Sequence, residues 1–284
     1  MARILSGAPV AGAILEKISE DIDILKQNDI IPTLTIIRVG EKGDDISYER
    51  SAAKKCEKSG VAVRNLVFPP DVTHDRLIEA IDELNNDTSV HGVLILRPLP
   101  KCLDEVTICQ SLVSSKDIDC VTFGSLSGVL ASLDVGFAPC TAQACMEILD
   151  YYGIEIAGER VVVVGRSRVI GLPVAAMLTK RNGTVTICHT KTADLPTECR
   201  RSGILIAAAG KARMIDEKNV SSDQVIIDVG INITDDGGLV GDVNFDKVNA
   251  LVKAITPVPG GVGTVTSAVL IKHVVQAARA QAGL

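Results

Sequence analysis

The chain has 284 residues, of which 46% are hydrophobic and 2% aromatic, and it carries a formal net charge of −6. This length accommodates two α/β domains with separate cores. The charge is spread without long runs, which excludes the basic surface that nucleic acids or anionic membranes require. We therefore expect an enzyme of α/β composition whose partner is a small molecule.

The cysteines and the N-terminus bear on the cellular compartment. Eight Cys residues include no C-x-x-C pair and no regular spacing with His, which predicts neither a metal site nor a disulfide framework. We expect them to be reduced and buried. Ser6, Gly7 and Pro9 interrupt the apolar N-terminus, so no signal peptide is predicted. No stretch approaches the roughly 18 apolar residues of a membrane span, and we expect a cytoplasmic protein.

The first half of the chain predicts a repeating β-α-β pattern. Residues 10–26 place apolar side chains at helical spacing, as in an amphipathic helix. Asp45 or Ser47 is the predicted N-cap of a helix that runs to about Lys58 and stops at Gly60. Such alternation predicts one parallel sheet layer. The remaining predicted elements are strands at 34–39, 61–68 and 90–96 and helices at 74–85 and 104–112.

The second half predicts a doubly wound nucleotide-binding domain. Residues 114–139 are rich in Ser, Gly and Asp with little periodicity, so the domain boundary is placed there. A helix at 141–152 then precedes strands at 161–164, 184–188, 204–208 and 225–229. The dense Pro/Gly segment 255–263 is predicted to be irregular, and 266–280 to be a helix that packs back on the first domain. The predicted domains are thus 1–138 with 266–284, and 139–265.

A glycine loop after the strand of four valines is the candidate dinucleotide site. Gly165 allows a sharp turn, Gly171 permits close helix-strand packing, and the helix that follows tolerates Pro173 in its first turn. The helix N-terminus suits a pyrophosphate. Ser167 stands where Gly-x-Gly-x-x-Gly would have its second glycine. The alternative is a crossover whose glycines only relieve packing.

The tip of the next strand favours NADP over NAD. A carboxylate about 20 residues beyond the first glycine normally binds the ribose 2′-OH of NAD, but here the tip reads His189-Thr190-Lys191. Arg166 and this tip would instead pair with a 2′-phosphate, for which Arg offers a bidentate fork. The alternative is that Arg166 and Lys191 are solvated loop charges.

Nine motifs in order show that the chain resembles the methylenetetrahydrofolate dehydrogenase/cyclohydrolase family from end to end. They are Ser47-Tyr48, 92–100 (GVLILRPLP), 116–119 (KDID), 139–141 (PCT), Gly165-Arg166-Ser167 with Gly171 and Pro173, 188–190 (CHT), 228–232 (DVGIN), 241–243 (GDV) and 256–263 (TPVPGGVG). The resemblance implies a homodimer of two-domain subunits, with folate in the cleft between domains and NADP more often than NAD.

The resemblance also implies roles for individual residues. Tyr48 would stack on the folate and Asp119 would hydrogen-bond the pterin ring, while Pro259, Gly260 and Gly261 would border the substrate. Without the family, Tyr48 would be a half-buried helix aromatic and Asp119 a turn or cap residue. The implied cofactor-binding residues are Thr141, Gly165, Arg166, Ser167, Gly171, His189, Thr190, Gly210 and Ile231.

The chain departs from the family pattern at the polar pair that the hydrolysis step needs. Ala52 occupies the position of the family Lys, one helical turn after Tyr48, and Leu96 that of the family Gln. Lys55 would lie about 10 Å further along the helix, and Arg97 should face away from Leu96 on a strand. Two further changes, Cys120 for Gly and Thr264-Val265 for Pro-Met, are expected near the same cleft.

Hydride transfer from 5,10-methylenetetrahydrofolate to NADP needs positioning, whereas hydrolysis of the methenyl product needs a placed acid/base. The sequence therefore predicts a dehydrogenase of one-carbon metabolism with weak or lost cyclohydrolase activity. The alternatives are a fully bifunctional enzyme, a non-catalytic folate- and nucleotide-binding protein, and a Rossmann oxidoreductase acting on another small molecule.

Overall fold

A computed structural model describes residues 1–234 and 237–284, and the chain divides into two compact units. The three-stranded unit comprises Ala13–Cys140 and Ser267–Leu284, and the six-stranded unit comprises Met1–Gly12 and Thr141–Thr266. The strands are β1 (Arg3–Ile4), β2 (Thr33–Val39), β3 (Ala62–Phe68), β4 (Gly92–Ile95), β5 (Arg160–Val164), β6 (Thr184–Cys188), β7 (Ile204–Ala207), β8 (Val225–Asp228), β9 (Asn232–Ile233), β10 (Leu239–Val240) and β11 (Ala254–Ile255). The helices are α1 (Gly7–Gln27), α2 (Gly43–Lys58), α3 (His74–Asn86), α4 (Glu105–Gln110), α5 (Phe123–Ala131), α6 (Cys140–Tyr151), α7 (Gly171–Lys180), α8 (Leu195–Arg200), α9 (Phe245–Val248) and α10 (Val262–Ala282).

The three-stranded unit is built on a parallel sheet in the order β3-β2-β4. All seven residues of β2 are buried, as expected for a strand covered on both faces. The predicted parallel layer is therefore confirmed. Within this unit, Val274 of α10 lies close enough to Gly92 of β4 that a Cβ added there would be 3.2 Å from its methyl group. The C-terminal helix thus packs on the first sheet, as predicted.

Helix α2 begins earlier than the sequence suggested. Lys42 is its N-cap, and Asp44 and Asp45 lie in the first turn, so the prediction that Asp45 or Ser47 caps the helix was wrong. Two carboxylates near the positive end of the helix dipole stabilise this earlier start. Helix α4, by contrast, is capped as its sequence indicates, because Asp104 accepts hydrogen bonds from the backbone N–H groups of Val106 and Thr107.

Residues 114–139, predicted to be an aperiodic boundary, contain helix α5. Thr122 caps it by accepting a hydrogen bond from Ser125 N at 3.1 Å. Gly128 lies so near the returning chain that a Cβ would be 2.3 Å from the Val135 carbonyl oxygen. The small residues of α5 thus allow close packing. Because they have low helix propensity and show no helical period, the sequence does not predict this helix.

The six-stranded unit contains a parallel sheet in the order β1-β11-β8-β7-β5-β6. Strand β5, with its four valines buried between β6 and β7, is internal as predicted. β1 and β11 have two residues each, too few to show periodicity, and were missed. Because β1 pairs with β11, residues 1–12 belong to this unit, which differs from the predicted boundary.

The Pro/Gly segment is partly regular, contrary to the expectation for residues 255–263. Ile255 ends β11 and α10 already begins at Val262. Between them the backbone is held by a hydrogen bond from Gly7 N to Gly260 O at 2.7 Å. A Cβ on Gly7 would be 2.2 Å from the Gly261 carbonyl oxygen, so the approach requires glycine.

Seven of the eight cysteines are buried, but Cys102 is exposed, so the expectation of burial was wrong for that residue. Across residues 1–234 and 237–284, no helix has both the length and the apolar character needed to cross a membrane.

Candidate functional site: a glycine cradle and a carboxylate pocket

The loop between β5 and α7 leaves no room for side chains at its two glycines. Gly165 has φ +135°, and a Cβ there would be 2.1 Å from the Ala208 carbonyl oxygen. At Gly171 a Cβ would be 2.3 Å from the Gly165 carbonyl oxygen and 2.9 Å from Arg166 N. The loop is therefore a tight cradle before a helix N-terminus, which is the form that pyrophosphate binding requires.

Ser167 closes this cradle where the standard fingerprint has a second glycine. Its Oγ accepts hydrogen bonds from Ile170 N at 3.1 Å and Gly171 N at 3.4 Å, and its carbonyl oxygen accepts from Leu172 N at 3.0 Å. The hydroxyl thus satisfies N–H groups at the start of α7. Arg166 beside it is exposed.

The tip of β6 is a closed turn with cations at its surface. His189 N donates to Thr192 Oγ1 at 2.9 Å, and His189 Nδ1 accepts from Lys191 N at 3.1 Å. Thr190 and Lys191 are exposed, and no described residue forms an ion pair with Lys191 or Arg166. These cations remain available to an anionic ligand, which agrees with the preference for a 2′-phosphate.

Asp242 shapes the loop after β7, a role that the sequence analysis missed. Its carboxylate accepts hydrogen bonds from the backbone N–H groups of Ala209 (2.6 Å), Gly210 (2.9 Å) and Lys211 (2.8 Å). It also accepts from Asn232 Nδ2 at 3.0 Å. The 228–232 and 241–243 motifs were the available signal, since acids beside glycine often serve backbone donors. These hydrogen bonds fix the position of Gly210, one of the predicted cofactor-binding residues.

Asp228 binds the backbone of the 241–243 motif, and its carboxyl group has a pKa near neutrality. It accepts from the backbone N–H groups of Gly230, Asp242 and Val243 at 2.9 to 3.1 Å. Burial raises the pKa of Asp228 to about 7, against the opposing effect of these donors. A Cβ on Gly241 would be 1.8 Å from Asp228 Oδ2, so the Asp228 carboxyl group has room only beside a glycine.

We expect Asp228 to make folding stability fall as the pH rises from about 4 to about 7. In this window the unfolded carboxyl has lost a proton that the folded one keeps, so stability declines by up to about 1.4 kcal/mol per pH unit from this group. Urea denaturation across this range tests it. Asp228→Asn, which stays uncharged, should remove this slope; an unchanged slope would refute the assignment.

Of the predicted folate residues, Tyr48 and Asp119 lie in the three-stranded unit. Tyr48 is 45% exposed on α2, while Ala52, one turn on, is 6% exposed. Leu96, just beyond β4, is 7% exposed. Desolvation of the phenol, followed by the charge of nearby Asp119, raises the pKa of Tyr48 well above its usual value. Tyr48 therefore stays neutral, with its ring accessible beside apolar neighbours.

The 116–119 motif divides between scaffold and site. Lys116 Nζ donates to the carbonyl oxygens of Leu84 (2.6 Å) and Asp87 (2.7 Å). Asp117, fully buried, accepts from Val121 N and Thr122 N, both at 2.8 Å. Asp119 accepts from Cys140 N at 2.9 Å, and burial raises its pKa. Only Asp119 of these three belongs to the candidate substrate site.

His273 and Cys140 hold the segment that carries Asp119. The sequence did not predict this role for either residue. His273 Nδ1 donates to the Ile118 carbonyl oxygen at 2.9 Å, and its ring lies 4.9 Å from that of Phe137. Cys140 Sγ donates to the same carbonyl at 3.2 Å. These contacts tie α10 and α6 to the segment that carries Asp119, across long sequence separations that no local pattern reveals.

Cys120, where the family pattern has glycine, has φ +59°. The left-handed conformation explains why glycine suits this position.

Arg97 does not follow the strand alternation assumed for it. β4 ends at Ile95, and the guanidinium lies near enough to lower the pKa of Asp119, partly offsetting burial. Its Nη1 lies 3.9 Å from Glu105 Oε1. Because β4 ends before Leu96, the strand alternation on which the prediction for Arg97 rested does not apply here.

A buried ion pair anchors the helix that carries Tyr48. Arg38 Nε donates to Glu49 Oε2 at 2.7 Å, with side-chain exposures of 11% and 9%. We expect Glu49→Gln to lower the free energy of unfolding by about 3 kcal/mol, because it leaves the Arg38 charge buried without a partner. Urea denaturation tests this. Glu83→Gln, which breaks an exposed pair with Arg76 on α3, should cost under about 1 kcal/mol; equal losses would contradict the prediction.

The remaining predicted residues lie in the six-stranded unit. Thr141 follows the first residue of α6, Ile231 is 63% exposed, and Pro259, Gly260 and Gly261 precede α10. A Cβ on Gly261 would be 2.4 Å from the Pro257 carbonyl oxygen, and Gly260 has φ +101°. The structure thus gathers Tyr48 and Asp119 in one unit and the predicted cofactor residues in the other.

A parallel sheet with a glycine cradle between β5 and α7 defines the class of Rossmann-type dinucleotide-binding proteins. Residues 5–119 match the catalytic-domain model of tetrahydrofolate dehydrogenase/cyclohydrolase, and residues 139–282 match its NAD(P)-binding-domain model. The chain belongs to the tetrahydrofolate dehydrogenase/cyclohydrolase family, which confirms the resemblance.

Relatives match over the whole length. The bifunctional protein FolD of Carboxydothermus hydrogenoformans is 47% identical over 286 residues, covering 100% of both chains. The crystal structure of the bifunctional FolD enzyme of Campylobacter jejuni is 35% identical, with a TM-score of 0.96 and 99% of each chain covered. A Trypanosoma brucei methylenetetrahydrofolate dehydrogenase-cyclohydrolase, complexed with NADP and an inhibitor, is 32% identical, with a TM-score of 0.92 and coverage of 100% of this chain and 99% of that one.

Proposed function

We propose that this protein oxidises 5,10-methylenetetrahydrofolate to 5,10-methenyltetrahydrofolate with NADP⁺, and that its cyclohydrolase activity is weak or lost. The observation that carries the dehydrogenase activity is the tight glycine turn before α7, where a Cβ on Gly165 or Gly171 would collide with a backbone carbonyl oxygen. A non-catalytic binding protein would not by itself account for the glycine cradle of one unit and, in the other unit, an accessible Tyr48 and a half-buried Asp119 with a raised pKa.

The residues present fit NADP and its chemistry. When bound, NADP⁺ supplies the hydride acceptor. Gly165 and Gly171 would admit the pyrophosphate, and Arg166 with the β6 tip would face the 2′-phosphate. The related Trypanosoma brucei enzyme is complexed with NADP, which supports this assignment. Thr141, Gly210 and Ile231 would complete the cofactor site.

Tyr48 and Asp119 of the three-stranded unit would bind and orient the folate. Tyr48, neutral and with an accessible ring, would stack on the folate. Asp119 would hydrogen-bond the pterin, with its position held by Cys140 N. Pro259, Gly260 and Gly261 would border the substrate. Loss of hydride leaves a cation shared by two nitrogens, so no protein group has to remove a proton from the carbon.

The hydrolytic step lacks its acid/base. Ala52 and Leu96 are both buried and apolar, and neither side chain transfers protons. Lys55, the nearest lysine on the same side of α2, donates to Ser267 Oγ at 2.9 Å and is thereby engaged elsewhere. Arg97 stays charged and is a poor proton shuttle. These observations support a dehydrogenase that releases the methenyl cation for another enzyme to hydrolyse.

One assay tests both parts of the proposal. Purified protein receives 5,10-methylenetetrahydrofolate and NADP⁺, while NADPH and the methenyl species are followed together against a no-enzyme control. We expect NADPH to form while methenyl decays at the background rate. Faster methenyl decay would establish a bifunctional enzyme. Absence of NADPH, repeated with NAD⁺, would favour the non-catalytic binding protein; failure to bind any reduced folate would favour a different oxidoreductase.

We also propose the homodimer that the resemblance implies, and light scattering during size-exclusion chromatography measures it directly. A monomeric mass would refute this part of the proposal without affecting the dehydrogenase assignment.

A further inference from the structure

A cavity of about 530 Å³ opens at the amino-terminal ends of the strands in the three-stranded unit. Thr33 and Ala62 begin β2 and β3 there, and His91 immediately precedes β4. Leu96 follows the opposite, carboxyl end of β4, and α2, which carries Tyr48, follows the carboxyl end of β2. With seven residues in β2, the two edges are about 20 Å apart. The cavity is therefore separate from the proposed folate site.

His91 presents an unpartnered donor at this cavity. The residue is 5% exposed, and its Nδ1 accepts a hydrogen bond from Thr33 N at 3.1 Å. Burial, and then the charge of Lys116, lowers its pKa, so the ring is neutral with its hydrogen on Nε2. In the described part of the chain no group accepts from Nε2, although the ring lines the cavity. The Nε2 N–H is not one of the fully buried polar atoms that lack a partner, so a ligand oxygen that enters the cavity can accept a hydrogen bond from it.

Arg64 is held beside His91 with donors to spare. Its Nη1 donates to Asp87 Oδ2 at 2.9 Å, and its Nη2 to Ser89 Oγ at 3.0 Å. Asp87 is itself fixed, because Ser89 N donates to its Oδ1 at 2.8 Å. A guanidinium has five N–H donors, and the described residues engage only these two groups of it. Arg64, held by these two hydrogen bonds, and His91 both line the cavity.

The rest of the cavity is part apolar and part polar. Its apolar lining is Ile30, Ile31, Ala62, Ala278 and Ala282, and its other polar lining is Asp29, Thr88, Ser89 and Gln281, of which only Asp29 would repel an anion. A volume of this size suits a small ligand whose apolar body packs on such walls while one polar group fixes its orientation. The polar group must accept hydrogen bonds and tolerate a neighbouring guanidinium, which describes a carboxylate.

We propose that this cavity binds a small carboxylate whose oxygens accept hydrogen bonds from His91 Nε2 and Arg64 and whose apolar body packs against Ala62 and Ala278. The site is independent of the proposed dehydrogenase activity. No step of that reaction uses it.

Histidine 15N spectra of the full-length protein, titrated with phenylacetate, test the proposal. The chain has four histidines, and the His91 resonance is assigned by its loss in His91→Gln. We expect a saturable shift of Nε2 with a dissociation constant on the order of millimolar, as a ligand of about ten heavy atoms allows. Phenylacetamide should bind at least ~10-fold more weakly, because it lacks the charge that Arg64 pairs with.

Three variants separate a specific site from surface binding. Arg64→Gln should weaken phenylacetate binding at least ~10-fold, whereas Arg76→Gln, which removes an equally exposed arginine on α3, should leave it unchanged. Ala62→Leu fills the cavity without touching its charges, and should abolish saturation while the other three histidine resonances keep their positions. No saturable shift, equal binding by Arg64→Gln and the wild type, or tighter binding of inorganic phosphate than of phenylacetate would each overturn the proposal.

Discussion

Ala52→Lys combined with Leu96→Gln should raise methenyl hydrolysis by about 10²- to 10⁴-fold, the usual contribution of a placed acid/base. Position 52 lies one turn after Tyr48 on α2, so a Lys there would project beside the proposed folate ring. The site is buried, and desolvation lowers the pKa of a lysine ammonium toward the range in which it transfers protons. Gln at position 96 would give that amine a polar neighbour.

The measurement is the rate of methenyl decay at matched enzyme concentration, with NADPH formation recorded in parallel. Ala53→Lys with Leu96→Gln is the matched control, because it adds the same side chain on a neighbouring face of the helix. It should leave hydrolysis at background. A folded Ala52→Lys/Leu96→Gln protein that forms NADPH without faster hydrolysis would show that other residues limit the second activity.

Gly165→Ala should weaken NADP⁺ binding and reduce NADPH formation by at least ~100-fold, as displacements near 1 Å at a site can do. The new Cβ would be 2.1 Å from the Ala208 carbonyl oxygen, and the residue would have to hold φ +135°. The only relief is movement of the loop, which separates it from the start of α7. Isothermal titration with NADP⁺ and the dehydrogenase assay both report the effect.

Gly158→Ala is the control for backbone strain alone. Gly158 has φ +79°, yet a Cβ there meets nothing within 4 Å. We expect a stability loss of about 1 to 2 kcal/mol from the left-handed conformation and normal NADP⁺ affinity. If Gly165→Ala bound NADP⁺ like Gly158→Ala, the cradle would not be the cofactor site.

The elements with strong periodicity were predicted well, whereas features built from long-range contacts were not. The valines of β5 and the apolar stripe of α1 bury themselves as their spacing indicates. Among the described strands, β1 pairs only with β11, some 250 residues away in sequence, and β11 lies between β1 and β8. Two-residue strands of this kind carry no period.

The candidate site shows the same division. Gly165 and Gly171 could be predicted from the local sequence, because glycine at the end of a strand usually marks a tight turn. His273 reaches the segment of Asp119 from α10, 155 positions away from Ile118, and Arg97 is close to Asp119 because β4 stops one residue earlier than its apolar letters suggest. Neither of these contacts could be predicted from the residues that neighbour His273 or Arg97 in the sequence.

The interlock of Asp228 and Asp242 restricts how this chain can vary. Each carboxylate fills space that a Cβ on a glycine of the other motif would enter, Gly241 for Asp228 and Gly230 for Asp242. Each also satisfies backbone N–H groups that no other side chain in the described chain reaches. A longer acid at either position would collide with its glycine, and a shorter residue would strand several donors. A replacement at any one of the four positions is therefore expected to disturb both motifs, and a tolerated change there should require compensating changes at the other positions.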